Sequence, residues 1–204
     1  MTDNQDNQDN QVRHNEEQSK EELAKILERI NFWISNCDTK ISFALAFAGV
    51  LLAGFFSSSI ITGSLIKLLE KTTEIYTTAT YWEVRIMDIC IFVLILFIAF
   101  IIISVTYLFR ALKGSINTSL YKEQGITTDS LIFFGTIANQ TYQSFKENVN
   151  NSNESQLKND LLSQIYINSK ICDKKLKSYN IGVNFLFASI VLFILLNILF
   201  LFIK

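Results

Sequence analysis

The sequence contains no proline, three cysteines, one histidine and seven glycines in 204 residues. Without proline, helices run long and uninterrupted. Three unclustered cysteines exclude a disulfide scaffold and give no metal-ligand spacing. The lone histidine, His14, sits in a polar stretch, which leaves little room for histidine-based catalysis. Charge is also scarce: 18% of residues are charged and the net charge is -1. Soluble domains carry about 25% charged residues, and nucleic-acid-coating chains show a basic excess. Neither class fits. What is abundant is apolar: half of all residues are hydrophobic, and 17 are phenylalanine.

The charges leave three long gaps. Residues 41–66, 89–109 and 178–203 contain none, over 26, 21 and 26 residues. A helix rising about 1.5 Å per residue crosses the hydrocarbon core in about 20 residues, so each gap is long enough to span. The reading is an all-α membrane protein with three transmembrane helices and no strand. Lysine and arginine then set the orientation. Residues 1–40 carry five and 110–177 carry nine, against three in 67–88 and Lys204 alone at the end. By the positive-inside rule, residues 1–40 and 110–177 are expected to be cytoplasmic, 67–88 an external loop and the C-terminus external.

The first 22 residues hold seven acids against Arg13 and Lys20 and have no apolar core, so no secretory signal peptide is expected. Residues 1–15 read as a disordered polar tail. Residues 16–40 read as an amphipathic cytoplasmic helix, with Leu23, Ile26, Leu27, Ile30, Trp33 and Ile34 at three- and four-residue steps. Trp33 precedes the first span, where an indole suits the membrane interface. Within that span Gly49, Ala53 and Ser57 repeat every four residues. Such faces let membrane helices approach closely, against either the other spans or a second subunit. The second span is uniformly bulky, and the third carries Asn184 and Asn197. None holds a charge, which argues against a proton-coupled transporter.

The segment 110–177 reads as a cytoplasmic helical insert between the second and third spans. One helix is expected to start at Asp129 as N-cap and run through LIFFGTIANQTYQSFKENV. NNSNES at 150–155 reads as a turn, and a second helix from about Ser155 continues into the third span. On it Leu157, Leu161, Ile165, Cys172 and Leu176 form an apolar stripe. Asp160, Gln164 and Asn168 form a polar one on an adjacent face, which is more commonly solvated. No nucleophile-base pair, phosphate-binding glycine loop or paired carboxylates occur, so neither enzyme activity nor a cofactor or metal is expected.

What remains are polar residues suited to a small polar ligand. Asp38 and Lys40 stand at the mouth of the first span, commonly as topology anchors. Gln164 and Asn168 carry the donors and acceptors that reading a nucleobase edge requires, and Lys40, Lys170 or Lys174 could neutralise a phosphate.

These segments resemble a known family. INFWISNCDTKISFALAFAGVLL, SLIFFGTIA and LKNDLLSQIYINSKICDKKLK, in this order within residues 22–203, are similar to the membrane effectors of Pycsar, the pyrimidine cyclase system for antiphage resistance. The matching positions are Asp38, Lys40, Phe133, Phe134, Gly135, Asp160, Gln164, Asn168 and Ser169; Cys37 and Ile41 depart from the family pattern by small changes. The resemblance implies an effector in the cell inner membrane that senses cyclic CMP or cyclic UMP from a partner cyclase. It then impairs that membrane, causing abortive infection. A homo-oligomer and contact with membrane lipid are expected, and nucleic acid is not. Phe133 or Phe134 could stack on a pyrimidine while Gln164 or Asn168 reads its edge; packing in the core is the plainer role for both rings. The competing expectation is a structural or scaffold membrane protein whose cytoplasmic helices dock a protein partner.

Overall fold

The computed structural model describes residues 3–58, 61–63, 66, 81–113 and 123–200, with side chains from Gln18 onward except at 81–83. Five helices carry most of them: α1 (Asp3–Ser57), α2 (Tyr81–Leu112), α3 (Phe134–Ala138), α4 (Tyr142–Asn151) and α5 (Glu154–Phe200). Three stretches are long and apolar enough to cross a bilayer: Gln18–Ser57, Val84–Leu112 and Glu154–Phe200. The all-helical class and the three spans are therefore as the charge gaps indicate. Residues 67–80 of the expected external loop, and 114–122 of the insert, lie outside the described residues.

With no proline and no left-handed glycine to stop it, α1 joins the stretch read as a polar tail, the amphipathic segment and the first span in one helix. The helices also extend beyond the charge-free gaps, so that Arg85 and Asp88 lie inside α2.

The chain forms two compact units: residues 1–37 with 114–174, and residues 38–113 with 175–204. In the second unit, each long helix buries one face, at seven-residue steps on α1 and largely at three- and four-residue steps on α2 and α5. On α1 the positions are Ile41, Ala48 and Phe55; on α2 they include Met87, Cys90, Phe97, Ile101, Ser104, Leu108 and Ala111. On α5 they are Leu186, Ser189, Leu196 and Phe200. This is the seven-residue period of left-handed helix packing. Phe55, Phe97 and Phe193 meet, with the Phe55 and Phe97 ring centroids 5.1 Å apart. Ala48, Ile101 and Leu186 form a second cluster.

Two helices approach closely at Gly182. A Cβ there would lie 2.8 Å from Leu108 Cγ and 3.2 Å from the Leu108 backbone nitrogen. Beside it Ser104 Oγ donates to the Gly182 carbonyl at 2.8 Å. Lipid tails are as apolar as leucine, so such close packing and hydrogen bonding hold membrane helices together. The small residues expected to serve packing lie elsewhere. Gly49, Ala53 and Ser57 are all exposed, and a Cβ on Gly49 would touch nothing within 4 Å. Packing inside the chain uses the Ile41, Ala48 and Phe55 face, because bulky residues on α2 and α5 fill the space against it. Asn197 satisfies its amide on its own helix, donating to the Phe193 carbonyl at 2.8 Å.

In the first unit the insert departs from the expected single helix. Residues 129–133 are not helical, α3 has only five residues, and the chain breaks again at 139–141. Side chains that compete for the backbone explain this. Ser130 Oγ accepts from the Phe133 and Ile132 amides at 2.9 and 3.2 Å, while Thr136 Oγ1 donates to the Ser130 and Phe133 carbonyls. Thr141, not Asp129, is the N-cap that works, accepting from the Ser144 amide to start α4. Gly125 has φ +92°, the left-handed conformation needed in the turn that Ile126 closes onto Glu123. The turn expected at 150–155 narrows to Ser152 and Asn153, after which α5 begins with a capping box. Asn153 Oδ1 accepts from the Gln156 amide at 2.8 Å, and Gln156 Oε1 accepts from the Asn153 amide at 3.0 Å.

Along α1, Leu23, Leu27, Ile30 and Ile34 of the amphipathic stripe are half-buried, whereas Ile26 and Trp33 are exposed. In this unit Asn168 Nδ2 donates to Asn31 Oδ1 at 2.9 Å, and Lys20 pairs with Glu154 at 2.6 Å.

Candidate ligand-binding site

The polar stripe on α5 is buried at its first two positions. Asp160 is 3% exposed and Gln164 4%, and both are more enclosed than Leu157 or Leu176 of the neighbouring apolar stripe. The expectation of a solvated face is therefore corrected. The cause is the non-helical loop 127–133, which lies across the first turns of α5 and brings amides that need acceptors. Asp160 Oδ2 accepts from the Leu131 amide at 2.8 Å. Ser163 Oγ accepts from the Thr127 amide at 3.0 Å, and Gln164 Nε2 donates to Ser130 Oγ at 3.3 Å. Three side chains one helical turn apart or less thus tie one loop to one helix.

Beside this contact lies a cavity of about 300 Å³. Its polar lining comes from Thr127 and Asp129 in the loop, Asn148 and Asn151 on α4, Ser152 after it, and Gln156 and Asp160 on α5. Leu131 and Leu157 add apolar wall. The volume is at the lower end of the roughly 300–1,000 Å³ found for small-molecule pockets. Asp160 lines it with an unmet need: Oδ1 is buried and has no hydrogen-bond partner. Native proteins leave few such atoms, since an unpaired buried acceptor costs about 1–3 kcal/mol.

The other sequence-derived positions fall in several places. Phe133 is half-buried, its ring against the position a Gly135 Cβ would take, 2.6 Å away. Phe134 is 74% exposed, with its ring centroid 4.7 Å from that of Phe133. Lys170 is exposed and lies 5.3 Å over the Tyr166 ring. Asn168 is half-buried on Asn31. None of these four lines the cavity.

Asp38 and Lys40 separate. Lys40 is exposed, whereas Asp38 pairs with Lys175 of α5, which is 8% exposed. The D-x-K motif is thus half of a helix-to-helix ion pair. Lys175, Ser130, Ser163 and Asn31 were not singled out from sequence. Lys175 has a legible signal: continuing the Asp160, Gln164, Ile167 face at three- and four-residue steps reaches it and then Gly182. Ser130 and Ser163 had none, because their partners are backbone amides of a loop.

Among the described residues no cluster of three or more histidine, cysteine, aspartate or glutamate side chains could hold a metal ion. The Pycsar effector protein domain, PycTM, matches residues 22–203. The Pycsar effector protein GmPycTM of Gulbenkiania mobilis is 55% identical over 187 residues, which is 92% of this chain and 95% of that protein. No solved structure matches.

Proposed function

The chain belongs to the Pycsar effector family, a membrane arm of antiphage defence, and on that premise we propose that it is a ligand-gated, non-enzymatic effector. It senses cyclic CMP or cyclic UMP made by a partner cyclase and impairs the inner membrane, ending the infection before the phage matures. The observation that carries this reading is the polar cavity beside buried Asp160, built entirely from residues of one compact unit. The other unit holds all of Val84–Leu112, most of Glu154–Phe200 and the second half of Gln18–Ser57, so recognition and membrane action have separate seats. The N-terminus and the insert are cytoplasmic, where a soluble nucleotide is available, and the C-terminus is external.

A ligand shifts such a protein only by binding one state more tightly than another. The loop 127–133 is the element suited to this, since it lines the cavity with Thr127, Asp129 and Leu131 and is held to α5 by side chains. The exposed Gly49, Ala53 and Ser57 stripe gives a homo-oligomer a close-packing face. A scaffold reading has one observation in its favour, the exposed rings of Phe134 and Tyr142 on the insert.

Co-expression with a cyclase, with membrane potential followed by a voltage-sensitive dye during phage infection, tests the proposal. Depolarisation is expected only when both proteins are present and cyclic CMP or cyclic UMP accumulates. An unchanged potential at high levels of both nucleotides would overturn it in favour of the scaffold.

A further inference from the structure

Inside the second and third spans, polar side chains reach for helix carbonyls. Ser104 donates to Gly182, Thr106 to Ile102 and Ser189 to Phe185. Asn197 donates to Phe193. Asn184 differs. Its side chain is exposed and makes no hydrogen bond among the described residues. It stands seven residues beyond Lys177, the last charge before the apolar stretch, which is roughly 10 Å along the helix. At that depth no water is at hand, and an unsatisfied amide in hydrocarbon costs several kcal/mol. The short asparagine side chain cannot reach back to the interface as a lysine does. A partner from outside the chain is therefore required.

The residues around Asn184 say which partner fits. Ile181, Asn184, Ala188, Val191, Leu195 and Ile198 follow one another at alternating three- and four-residue steps. All are exposed except the half-buried Ala188. This stripe lies nearly opposite the enclosed positions Gly182, Ser189 and Leu196, so α5 carries a second heptad seam that nothing in the chain covers. A lone asparagine in such a seam fixes register and partner number in paired helices. Its carboxamide both donates and accepts, so two asparagines satisfy each other. Identical chains insert in the same sense and bring Asn184 to the same depth, and a two-fold pair sets the same patch against itself. We propose that this face of α5 pairs with α5 of a second copy, each Asn184 donating to and accepting from the other. Lys177, one heptad earlier, is exposed on the same stripe, so the contact is confined to the uncharged residues from Ile181 onward. This deepens the homo-oligomer of the functional reading and rests on that part of it. It does not need the Gly49 stripe, which lies on α1.

The test is energy transfer between separately labelled copies of the full-length protein in liposomes, over a range of lipid dilution, with and without cyclic CMP and cyclic UMP. The wild type should associate, and Asn184→Val should weaken association roughly tenfold, the ordinary size of an interhelical amide contact. Asn184→Gln keeps the carboxamide and should retain most of it. Asn197→Val, whose amide is spent on its own helix, should leave association unchanged. A second measurement leaves Asn184 in place: Val191→Cys should give a disulfide-linked dimer when membranes are oxidised, whereas Ile102→Cys, exposed on α2, should not. Association that survives Asn184→Val, with no dimer from Val191→Cys, overturns this contact and leaves the homo-oligomer standing on another face. A wild type that shows no transfer under any of these conditions overturns the contact and the homo-oligomer together.

Discussion

The single helix α5 serves two units with opposite kinds of buried surface. Between Glu154 and Lys174 it buries Asp160, Ser163 and Gln164 alongside Leu161 and Ile167. From Lys175 onward the enclosed positions are Lys175, Gly182, Leu186, Ser189, Leu196 and Phe200. In the first stretch polar side chains reach out of the helix to satisfy a loop that has few hydrogen bonds of its own. In the second, beyond Lys175, hydroxyls and amides stay close to a helix backbone, as Ser189 does on the Phe185 carbonyl at 2.7 Å. The difference follows the medium. Where water is present a loop can be laced to a helix and still open, whereas in hydrocarbon every polar group must be satisfied within the packed helices.

Three comparisons test that contrast. The largest effect is expected at the Asp38–Lys175 pair, where Asp38→Ala strands the buried Lys175 ammonium. Losing a partner of a buried pair costs about 3–5 kcal/mol, and the partly exposed Asp38 side chain puts this case near the low end. Thermal unfolding in detergent measures it, and adding Lys175→Met to the same protein should restore most of the loss. An unchanged melting temperature in Asp38→Ala would remove the ion pair from the account.

Asp160→Ala comes next, at about 2 kcal/mol, because it leaves the Leu131 amide without its acceptor. The effect should be local to the polar unit. Limited proteolysis should cut within residues 127–133 sooner, while the apolar helices remain protected. Cleavage that spreads equally into both units would mean that they do not differ in the way described.

The smallest effect separates two glycines. Gly182→Ala pushes a methyl group against Leu108 side chain and backbone and should cost about 1–2 kcal/mol by overpacking. Gly49→Ala meets nothing and should change stability by less than about 0.5 kcal/mol. A comparable loss at Gly49, read as a concentration-dependent change in stability, would instead place that face in contact with a second copy.

The three charge gaps carried most of the architecture, because spanning a bilayer is a constraint on length and polarity that one chain states for itself. The α5 helix was legible nearly to the residue, with its turn of Ser152 and Asn153 and its capping residues all adjacent in sequence. The insert was not. Its LIFFGTIA segment has helical composition, yet Ser130, Thr136 and Thr141 divide it, and hydroxyls of this kind favour either a helix or a turn according to what surrounds them. Asp160 and Gln164 stood out by their spacing, but burial was invisible, since it depends on a loop some 30 residues earlier folding over them.

Sequence alone therefore determined the class, the number of spans and the resemblance to Pycsar effectors, all of which rest on composition and order along the chain. Tertiary structure decided that Asp38 belongs with Lys175 and not with Lys40, that Gly182 and not Gly49 is the close contact, and that Asp160 borders a cavity with one acceptor unfilled. Those are relations between segments far apart in sequence. Helical periodicity names the face a residue occupies, and only the packing of other elements against that face sets what it meets.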